Sequence, residues 1–156
     1  MSALELYFKL LEFEEGFKSK PYYCTEGYPT VGIGWRIGPK GAPLELYEIE
    51  LDIEQARVIL ARKVQKQLKK LERHDWFNKQ NESRKAVIVS MAFQMGIRGL
   101  FGFKNMITAL SNNNYRKASL EAIDSRWYRQ TPNRAARHAS VLEHGDIYLA
   151  YGELIK

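Results

Sequence analysis

The sequence has a single cysteine, Cys24, among its 156 residues. One cysteine cannot form an intramolecular disulfide, so the fold has to be held by its hydrophobic core, and a free thiol is compatible with a reducing cytoplasm. With 45% hydrophobic residues, a chain of this length buries enough apolar surface to fold as one domain without a disulfide or a structural metal.

Sequence signals for targeting, metal binding and nucleotide binding are also missing. The first apolar stretch is interrupted by Glu5, Lys9 and Glu12, which indicates an amphipathic helix, and we expect no signal peptide and no stable membrane insertion. The segments "GIGWRIG" and "GIRGLFG" match neither phosphate-binding glycine motif. We therefore expect no nucleotide cofactor.

The three histidines have no cysteine or carboxylate partner at metal-ligand spacing, and they are His74, His138 and His144. We expect surface or partly buried histidines, with no metal and no cofactor. A cysteine protease would need a histidine such as His138 to activate Cys24, but no protease signature surrounds the thiol.

Acidic residues are outnumbered by basic ones, 18 against 24, which gives a formal net charge of +6. This excess favours polyanionic partners such as nucleic acid or an acidic cell envelope. Because no nucleic-acid-binding motif is recognisable, we expect no nucleic acid partner.

Hydrophobic spacing predicts the main elements. Leu4, Tyr7, Phe8 and Leu11 predict a helix over residues 3–13 that ends near Gly16 in a left-handed conformation. From Phe17 to Ile37, aromatic and β-branched residues alternate with glycine and proline, and this is the only stretch typical of a β-hairpin.

A capping box formed by Asp52 and Gln55 predicts the start of a long helix that ends near Arg73. The lysines on its polar side, among them Lys63 and Lys66, indicate either a solvated basic face or a polyanion site. Short helices follow, one of them capped by Thr131 and beginning at Pro132.

These patterns predict an α+β fold that is mostly helical. The expected single domain, residues 1–156, has a small β-bearing lobe at about 14–50, a connecting helix at about 51–74, and a larger helical lobe made of 75–156 with 1–13.

Glu15 is a candidate general acid. Acid catalysis on a glycosidic bond needs a protonated carboxyl group on the wall of a groove. The partial negative charge of a helix C-terminus disfavours the ionised form of a nearby carboxyl group, so the predicted position of Glu15 suits this role. The alternative is that Glu15 is an ordinary surface carboxylate among the 18 acidic residues.

Three blocks of sequence resemble the bacteriophage lysozymes, or endolysins, of the T-four type. They are "EEGFKSKPYYCTEGYPTVGIG", "MAFQMGIRGLFGF" and "SRWYRQTPNRAAR", in the family's order and at near-family spacing. The resemblance implies a lysozyme-like fold with a substrate cleft between the two lobes. It also implies inverting hydrolysis of the β-1,4 bond between N-acetylmuramic acid and N-acetylglucosamine in peptidoglycan, for lysis of a bacterial host.

The resemblance also implies the roles of individual residues. Glu15 matches the general acid, Thr30 matches the threonine that helps to hold the attacking water, and Arg134 matches the arginine that pairs with the acid. Phe93 and Gln94 match residues that line the cleft. In the third block, Arg126 and Trp127 are expected to support the groove from behind.

Cys24 falls where the family usually has aspartate. It could act as a thiolate with a lowered pKa, or as a neutral thiol that orients water together with Thr30, while Glu26 could instead take over the carboxylate role. If Cys24 only packs the hairpin, the chain could be a noncatalytic peptidoglycan-binding protein on the same fold.

Two further departures from the family concern the small lobe: Trp35 stands where a close relative has histidine, and the segment 36–50 is shorter. For the protein as a whole we expect a monomer. We also expect it to remain in the host cytoplasm until a membrane pore releases it to the periplasm and cell wall.

Overall fold

Helices make up most of the structure, and one small sheet follows the first helix. The structure, a computed structural model, describes all residues from Met1 to Lys156. Its nine α-helices are α1 Ala3–Glu15, α2 Ile53–Leu71, α3 Asp75–Asn78, α4 Glu82–Phe101, α5 Lys104–Ser111, α6 Tyr115–Ile123, α7 Arg126–Gln130, α8 Pro132–His144 and α9 Ile147–Tyr151. Short 3-10 helices span Leu44–Leu46 and Gly152–Ile155. The α+β prediction is confirmed.

Helix α1 begins with a capping box that the sequence analysis did not identify. The Ser2 hydroxyl accepts from the Glu5 backbone N–H, and the Glu5 carboxylate accepts from the Ser2 N–H at 2.8 Å. The helix ends at Glu15, and Gly16 has φ 68° and ψ −179°. The left-handed end predicted at Gly16 is therefore wrong in ψ, because the chain turns at once into an extended strand instead of completing another turn.

The sheet is antiparallel, with strand order β1 Lys18–Tyr23, β2 Pro29–Gly32 and β3 Trp35–Arg36. Between β1 and β2 the chain makes a tight turn. The Cys24 N–H donates to the Tyr28 carbonyl at 3.0 Å and the Gly27 N–H donates to the Cys24 carbonyl at 2.9 Å. This turn places Cys24 next to Thr30, the second residue of β2.

Helix α2 begins with the predicted capping box. The Asp52 side chain accepts from the Gln55 N–H at 2.8 Å, and the Gln55 side chain accepts from the Asp52 N–H at 2.9 Å. Buried residues on one face of α2 join the same core as the other helices, and they are Ala56, Leu60, Val64, Leu68 and Leu71. The sheet and α2 fall in the predicted ranges, while the division into lobes stays a prediction.

Helix α4 lies at the centre of a hydrophobic cluster of 31 buried residues, which makes the core continuous from α1 to the C-terminus. The helix is interrupted at Gly96, whose φ of 81° and ψ of 162° are not helical. No single helix is both long and apolar enough for a membrane span, although α4 and α5, which meet at 97°, reach that threshold together by length and composition.

Two local predictions are corrected in the C-terminal helices. Thr131 precedes Pro132 but makes no capping bond, because its hydroxyl donates to the Trp127 carbonyl at 3.3 Å. His138, expected at or near the surface, is fully buried at 0% exposure.

Candidate active site

A cleft of about 620 Å³ lies between the β-hairpin and helices α4 and α8. The cleft brings together all six residues proposed from the sequence, namely Glu15, Cys24, Thr30, Phe93, Gln94 and Arg134. A larger groove exists elsewhere, but it holds one acidic residue among five basic ones. The candidate site is therefore identified by its side chains and not by the volume of the cavity. The catalytic role of each residue stays a prediction.

Glu15 is the last residue of α1, and its side chain is 17% exposed. Its Oε1 accepts a hydrogen bond from Arg134 Nη1 at 2.8 Å, in an ion pair. Behind the carboxylate lies Gly34, where a Cβ atom would come within 2.6 Å of Glu15 Oε2. Because backbone lies where another residue would have a side chain, the Glu15 carboxylate packs directly against the β2–β3 turn.

Arg134 is held by hydrogen bonds from both of its terminal nitrogens. It is 9% exposed, and its Nη2 donates to the Ser90 hydroxyl at 2.9 Å and to the Ser90 carbonyl at 3.3 Å. Its Nε lies 3.4 Å from Glu14 Oε2. The guanidinium therefore has little freedom to move, and it presents Nη1 to Glu15 in one orientation.

Glu14 is the centre of a buried network that the sequence analysis missed. Its side chain is 1% exposed and forms ion pairs with Arg134 and Arg137. The Tyr151 hydroxyl donates to Glu14 Oε2 at 3.3 Å. The only signal in the sequence was the spacing of Arg134 and Arg137, which places two cations on one helical face opposite an acidic doublet.

His138 links this network to Ser90. Its Nε2 lies 2.7 Å from the Ser90 hydroxyl, and its Nδ1 lies 2.7 Å from the Tyr151 hydroxyl. Burial, followed by the charges of Arg134 and Arg137, holds the pKa of His138 well below its usual value of 6.5, so the ring is neutral.

One assignment of protons satisfies the hydroxyl and imidazole groups of the network, whereas the buried Nε atoms of Arg134 and Arg137 have no hydrogen-bond partner. Ser90 accepts from Arg134 and donates to His138 Nε2, while His138 Nδ1–H donates to Tyr151. The Tyr151 proton is then free for Glu14. Every hydroxyl in this chain accepts one hydrogen bond and donates one, so the network fixes the orientation of Arg134 and through it that of Glu15.

Cys24 lies at the hairpin turn and is partly exposed. Burial raises the pKa of the Cys24 thiol, whereas hydrogen bonds from the backbone N–H groups of Tyr28 and Glu26 lower it. The positive charge of Arg36 acts in the same direction as these N–H groups, and the pKa of Cys24 falls below its usual value. The thiolate fraction near neutral pH is therefore larger than for a free cysteine.

Thr30 is 1% exposed, and its hydroxyl donates to the Tyr28 carbonyl at 2.8 Å. Glu26 accepts from Arg36 at 2.7 Å, and the Arg36 guanidinium lies 4.3 Å from the centre of the Tyr28 ring. The Glu26 carboxylate is already paired with Arg36, which leaves it less available to a water molecule and disfavours Glu26 as a replacement for the family's aspartate.

Gln94 is oriented from behind by Trp127. The Trp127 indole N–H donates to Gln94 Oε1 at 2.8 Å, and Gln94 Nε2 donates to Thr131 at 3.3 Å. Trp127 is 6% exposed, so it lies under the cleft surface as the resemblance implied. Arg126, expected to share that position, is exposed and does not line the cleft.

Comparison with known proteins is consistent with this geometry. Residues 12–139 match the family model named Phage lysozyme. The chain is 30% identical over 170 residues to the pre-baseplate central spike protein Gp5 of Enterobacteria phage T4, an alignment that covers 95% of this chain and 29% of the spike protein. It thus spans less than a third of that relative's length.

A second relative, named "Probable T4-type lysozyme 1", comes from Dictyostelium discoideum. It is 30% identical over 159 residues, which cover 88% of this chain and 94% of the relative. The resemblance inferred from three sequence blocks is thereby confirmed. The chain belongs to the phage lysozyme family and is a glycoside hydrolase of the kind that acts on peptidoglycan.

Proposed function

We propose that this protein is an inverting muramidase that hydrolyses the β-1,4 bond between N-acetylmuramic acid and N-acetylglucosamine, with Glu15 as the general acid. The supporting observation is the ion pair of Glu15 Oε1 with Arg134 at 2.8 Å, which leaves Oε2 without a hydrogen bond. The other two carboxylates that line the cleft are engaged elsewhere, since Glu14 is buried in its network and Glu26 is bound by Arg36.

In the acid step, a proton on Glu15 Oε2 passes to the glycosidic oxygen as the bond to the anomeric carbon breaks. The electron pair of that bond goes to the leaving oxygen, and positive charge develops on the sugar ring. Arg134 stabilises the Glu15 carboxylate that results and keeps it in place for reprotonation from solvent.

In the water step, the oxygen of a water molecule forms a bond to the anomeric carbon on the face opposite the departing oxygen. Thr30 and Cys24, on the hairpin, orient this water, and its proton passes to the Cys24 thiolate or to solvent. Two versions of this role remain distinct: a thiolate accepts the proton, whereas a neutral thiol only orients the water.

The proposed biological role is that of an endolysin, a free, monomeric, antimicrobial enzyme that lyses the bacterial host (cytolysis). It would accumulate in the host cytoplasm and reach the periplasm and cell wall through a membrane pore. A phage relative and a family named for phage lysozymes support this proposal. Because the phage relative is a spike protein, incorporation into the virion is the alternative.

Expression in a Gram-negative host, with and without a pore-forming membrane protein, tests the role. We expect lysis only with the pore. Lysis without the pore would contradict storage in the cytoplasm. Co-purification of the protein with virions would favour the alternative that it is a virion enzyme.

Digestion of purified Gram-negative sacculi, followed by proton NMR of the first products, tests the reaction itself. We expect soluble muropeptides whose new reducing ends appear first as the α-anomer, since the β bond is inverted. Initial β-anomer would contradict inversion. Binding to sacculi without any product would favour the alternative of a noncatalytic peptidoglycan-binding protein. That alternative arises because Cys24 stands where the family usually has aspartate.

A further inference from the structure

The largest concave surface of the molecule is a groove of about 970 Å³ between α1, α2 and the start of α4, outside the catalytic residues. Its lining includes apolar residues from three elements, among them Leu4, Trp35 and Ile59. Five cationic side chains face a single acidic residue, Glu72, in this basic groove, and they are Arg62, Lys63, Lys66, Lys69 and Lys85. The groove therefore suits an acidic ligand with apolar groups, and the proposed reaction does not use it.

A surface of the opposite charge precedes the basic groove in the chain. The segment 44–54, with the sequence "LELYEIELDIE", alternates apolar and acidic residues. Four of its carboxylates form an acidic strip, and they are Glu45, Glu48, Glu50 and Asp52. All four residues are exposed, and Leu46 among them is 71% exposed. The acidic strip thus complements the basic groove in charge and in apolar surface.

Neither surface is neutralised within one molecule. No member of the acidic strip and none of the five cations forms a salt bridge, whereas Arg57, which lies between them, pairs with Glu12 and Glu54. The two surfaces cannot meet in one molecule, because α2 holds Asp52 about 21 Å from Lys66 at a rise of 1.5 Å per residue. Like charges that lie together repel each other, so contact between the strip of one copy and the groove of another relieves repulsion on both sides.

One exposed face of α2 connects the two surfaces. Its residues recur every three or four positions, and they are Gln55, Val58, Arg62, Lys66 and Lys69. Val58 is apolar and 56% exposed, between the acidic start of the helix and its basic half. An antiparallel pairing of two copies centred on Val58 therefore sets the acidic start of each α2 opposite the basic half of the other. Two-fold symmetry then makes each contact twice.

We propose that the acidic strip of one copy docks in the basic groove of a second copy, which gives a reversible two-fold dimer of the concentrated protein. The inference goes beyond the proposed function, which needs only the monomer. A second copy is favoured over a foreign acidic protein, because it carries the complementary strip at equal concentration and in a fixed geometry. Exposed ion pairs contribute little each, and the net charge of +6 on each copy keeps the association weak.

Sedimentation velocity of the full chain tests this, with the parent expected to be monomeric at about 1 µM and dimeric at about 1 mM. The groove variant carries Arg62→Glu, Lys66→Glu and Lys69→Glu, none of which lines the catalytic cleft. The strip variant carries Glu45→Lys, Glu48→Lys and Glu50→Lys. A matched control carries Lys104→Glu, Arg116→Glu and Lys117→Glu, the same charge change as in the groove variant but at exposed positions away from the groove.

We expect the groove variant and the strip variant, each alone, to dimerise more than about tenfold more weakly than the parent, because like charges then face each other. The control should dimerise as the parent does. An equimolar mixture of the groove and strip variants should form a one-to-one dimer, since both contacts again oppose unlike charges. Such a mixed dimer also shows that both variants are folded. The control, which has the same net charge as the groove variant, should not form mixed dimers with the strip variant.

Three results would each overturn the inference: a parent that is monomeric at about 1 mM, a groove variant that dimerises like the parent, or a mixture of the two variants that stays monomeric. A synthetic acidic peptide with alternating leucine is the remaining probe. If the peptide binds the groove of a parent that stays monomeric, the groove belongs to another protein and the second copy is ruled out.

Discussion

On the helical wall of the cleft, which consists of Glu14, Glu15 and Arg134, Glu14 and Arg134 each have several buried partners, and Glu15 is paired with Arg134. On the hairpin wall, formed by Cys24, Glu26 and Thr30, the groups are held by one turn and one exposed ion pair. The two carboxylates that flank the site differ in burial: the Glu14 side chain is 1% exposed, whereas Glu26 is 33% exposed. The proton donor Glu15 is therefore held in one orientation, whereas the residues that position the water can differ in type.

This contrast explains how cysteine can stand where the family usually has aspartate. A change on the helical wall would leave a buried charge without its partner, which costs about 3 to 5 kcal/mol. A change at Cys24 or Glu26 on the hairpin wall affects a group that water can still solvate, and exposed pairs contribute about 1 kcal/mol or less. We therefore expect substitutions on the two walls to differ in both activity and stability.

The largest effect is expected for Glu15→Gln. Gln is isosteric and still accepts from Arg134, so the fold should be retained, but it cannot donate a proton to the leaving oxygen. Hydrolysis of sacculi, followed by turbidity, should fall by about 10²- to 10⁴-fold. Activity within about tenfold of the parent protein would remove Glu15 from the acid role.

Glu14→Gln is expected to have the next largest effect, mainly on stability. It removes the negative charge between Arg134 and Arg137, and the free energy of unfolding should fall by about 3 kcal/mol in a urea titration. Glu12→Gln is the matched control on the same helix, since Glu12 pairs with the half-exposed Arg57 and should cost less than about 1 kcal/mol. Similar losses for both variants would contradict the contrast between the walls.

For the hairpin wall, we expect Cys24→Ala to reduce turnover by up to about 10²-fold and Cys24→Asp to retain it. The pH profile sharpens this test. The lowered pKa of Cys24 means that the thiolate is present above that pKa and is lost as the pH falls through it. Activity of the parent should therefore decline as the pH falls below the pKa of Cys24. Cys24→Asp should extend activity to lower pH, because aspartate remains ionised there.

A Cys24→Ala protein that is folded and as active as the parent would show that the thiol only packs the hairpin. In that case Cys24→Asp should be destabilised by its desolvated charge. Modification of Cys24 by a bulky alkylating reagent should inactivate the parent, while Cys24→Asp should be resistant to the reagent.

The smallest effect is expected for Glu26→Gln. It breaks an exposed ion pair with Arg36, so stability should change by less than about 1 kcal/mol and activity should stay close to that of the parent. A large loss of turnover in steady-state kinetics would instead mean that Glu26 supplies the carboxylate that the family's aspartate usually provides.

Features of the fold that depend on neighbouring residues could be predicted from the sequence. The extent of α1, the hairpin after Phe17 and the capping box at Asp52 follow from local spacing and from residue type. The conformation of Gly16 and the missing cap at Thr131 could not, because each depends on where the chain goes next or on a competing acceptor.

Glu15 could be proposed as an acid from its position at a helix end, whereas Thr30 and Arg134 were identified only through the family resemblance. The structure brings all three into one cleft. Residues that hold Arg134 were missed, because Glu14 meets Arg137 and Tyr151 across separations of 123 and 137 residues. Contacts between residues so far apart in the sequence leave no local sequence pattern from which to predict them. Gly34 was missed for the same reason, since its role is to leave room for Glu15.

The central claim, that Glu15 held by Arg134 donates the proton, is tested most directly by varying the leaving group. Parent and Glu15→Gln proteins would be compared on peptidoglycan strands and on an aryl glycoside whose dinitrophenol leaving group needs no protonation. We predict a large loss on the strands and a small one on the aryl glycoside, because only the sugar oxygen requires an acid. Equal losses on both substrates would contradict the account.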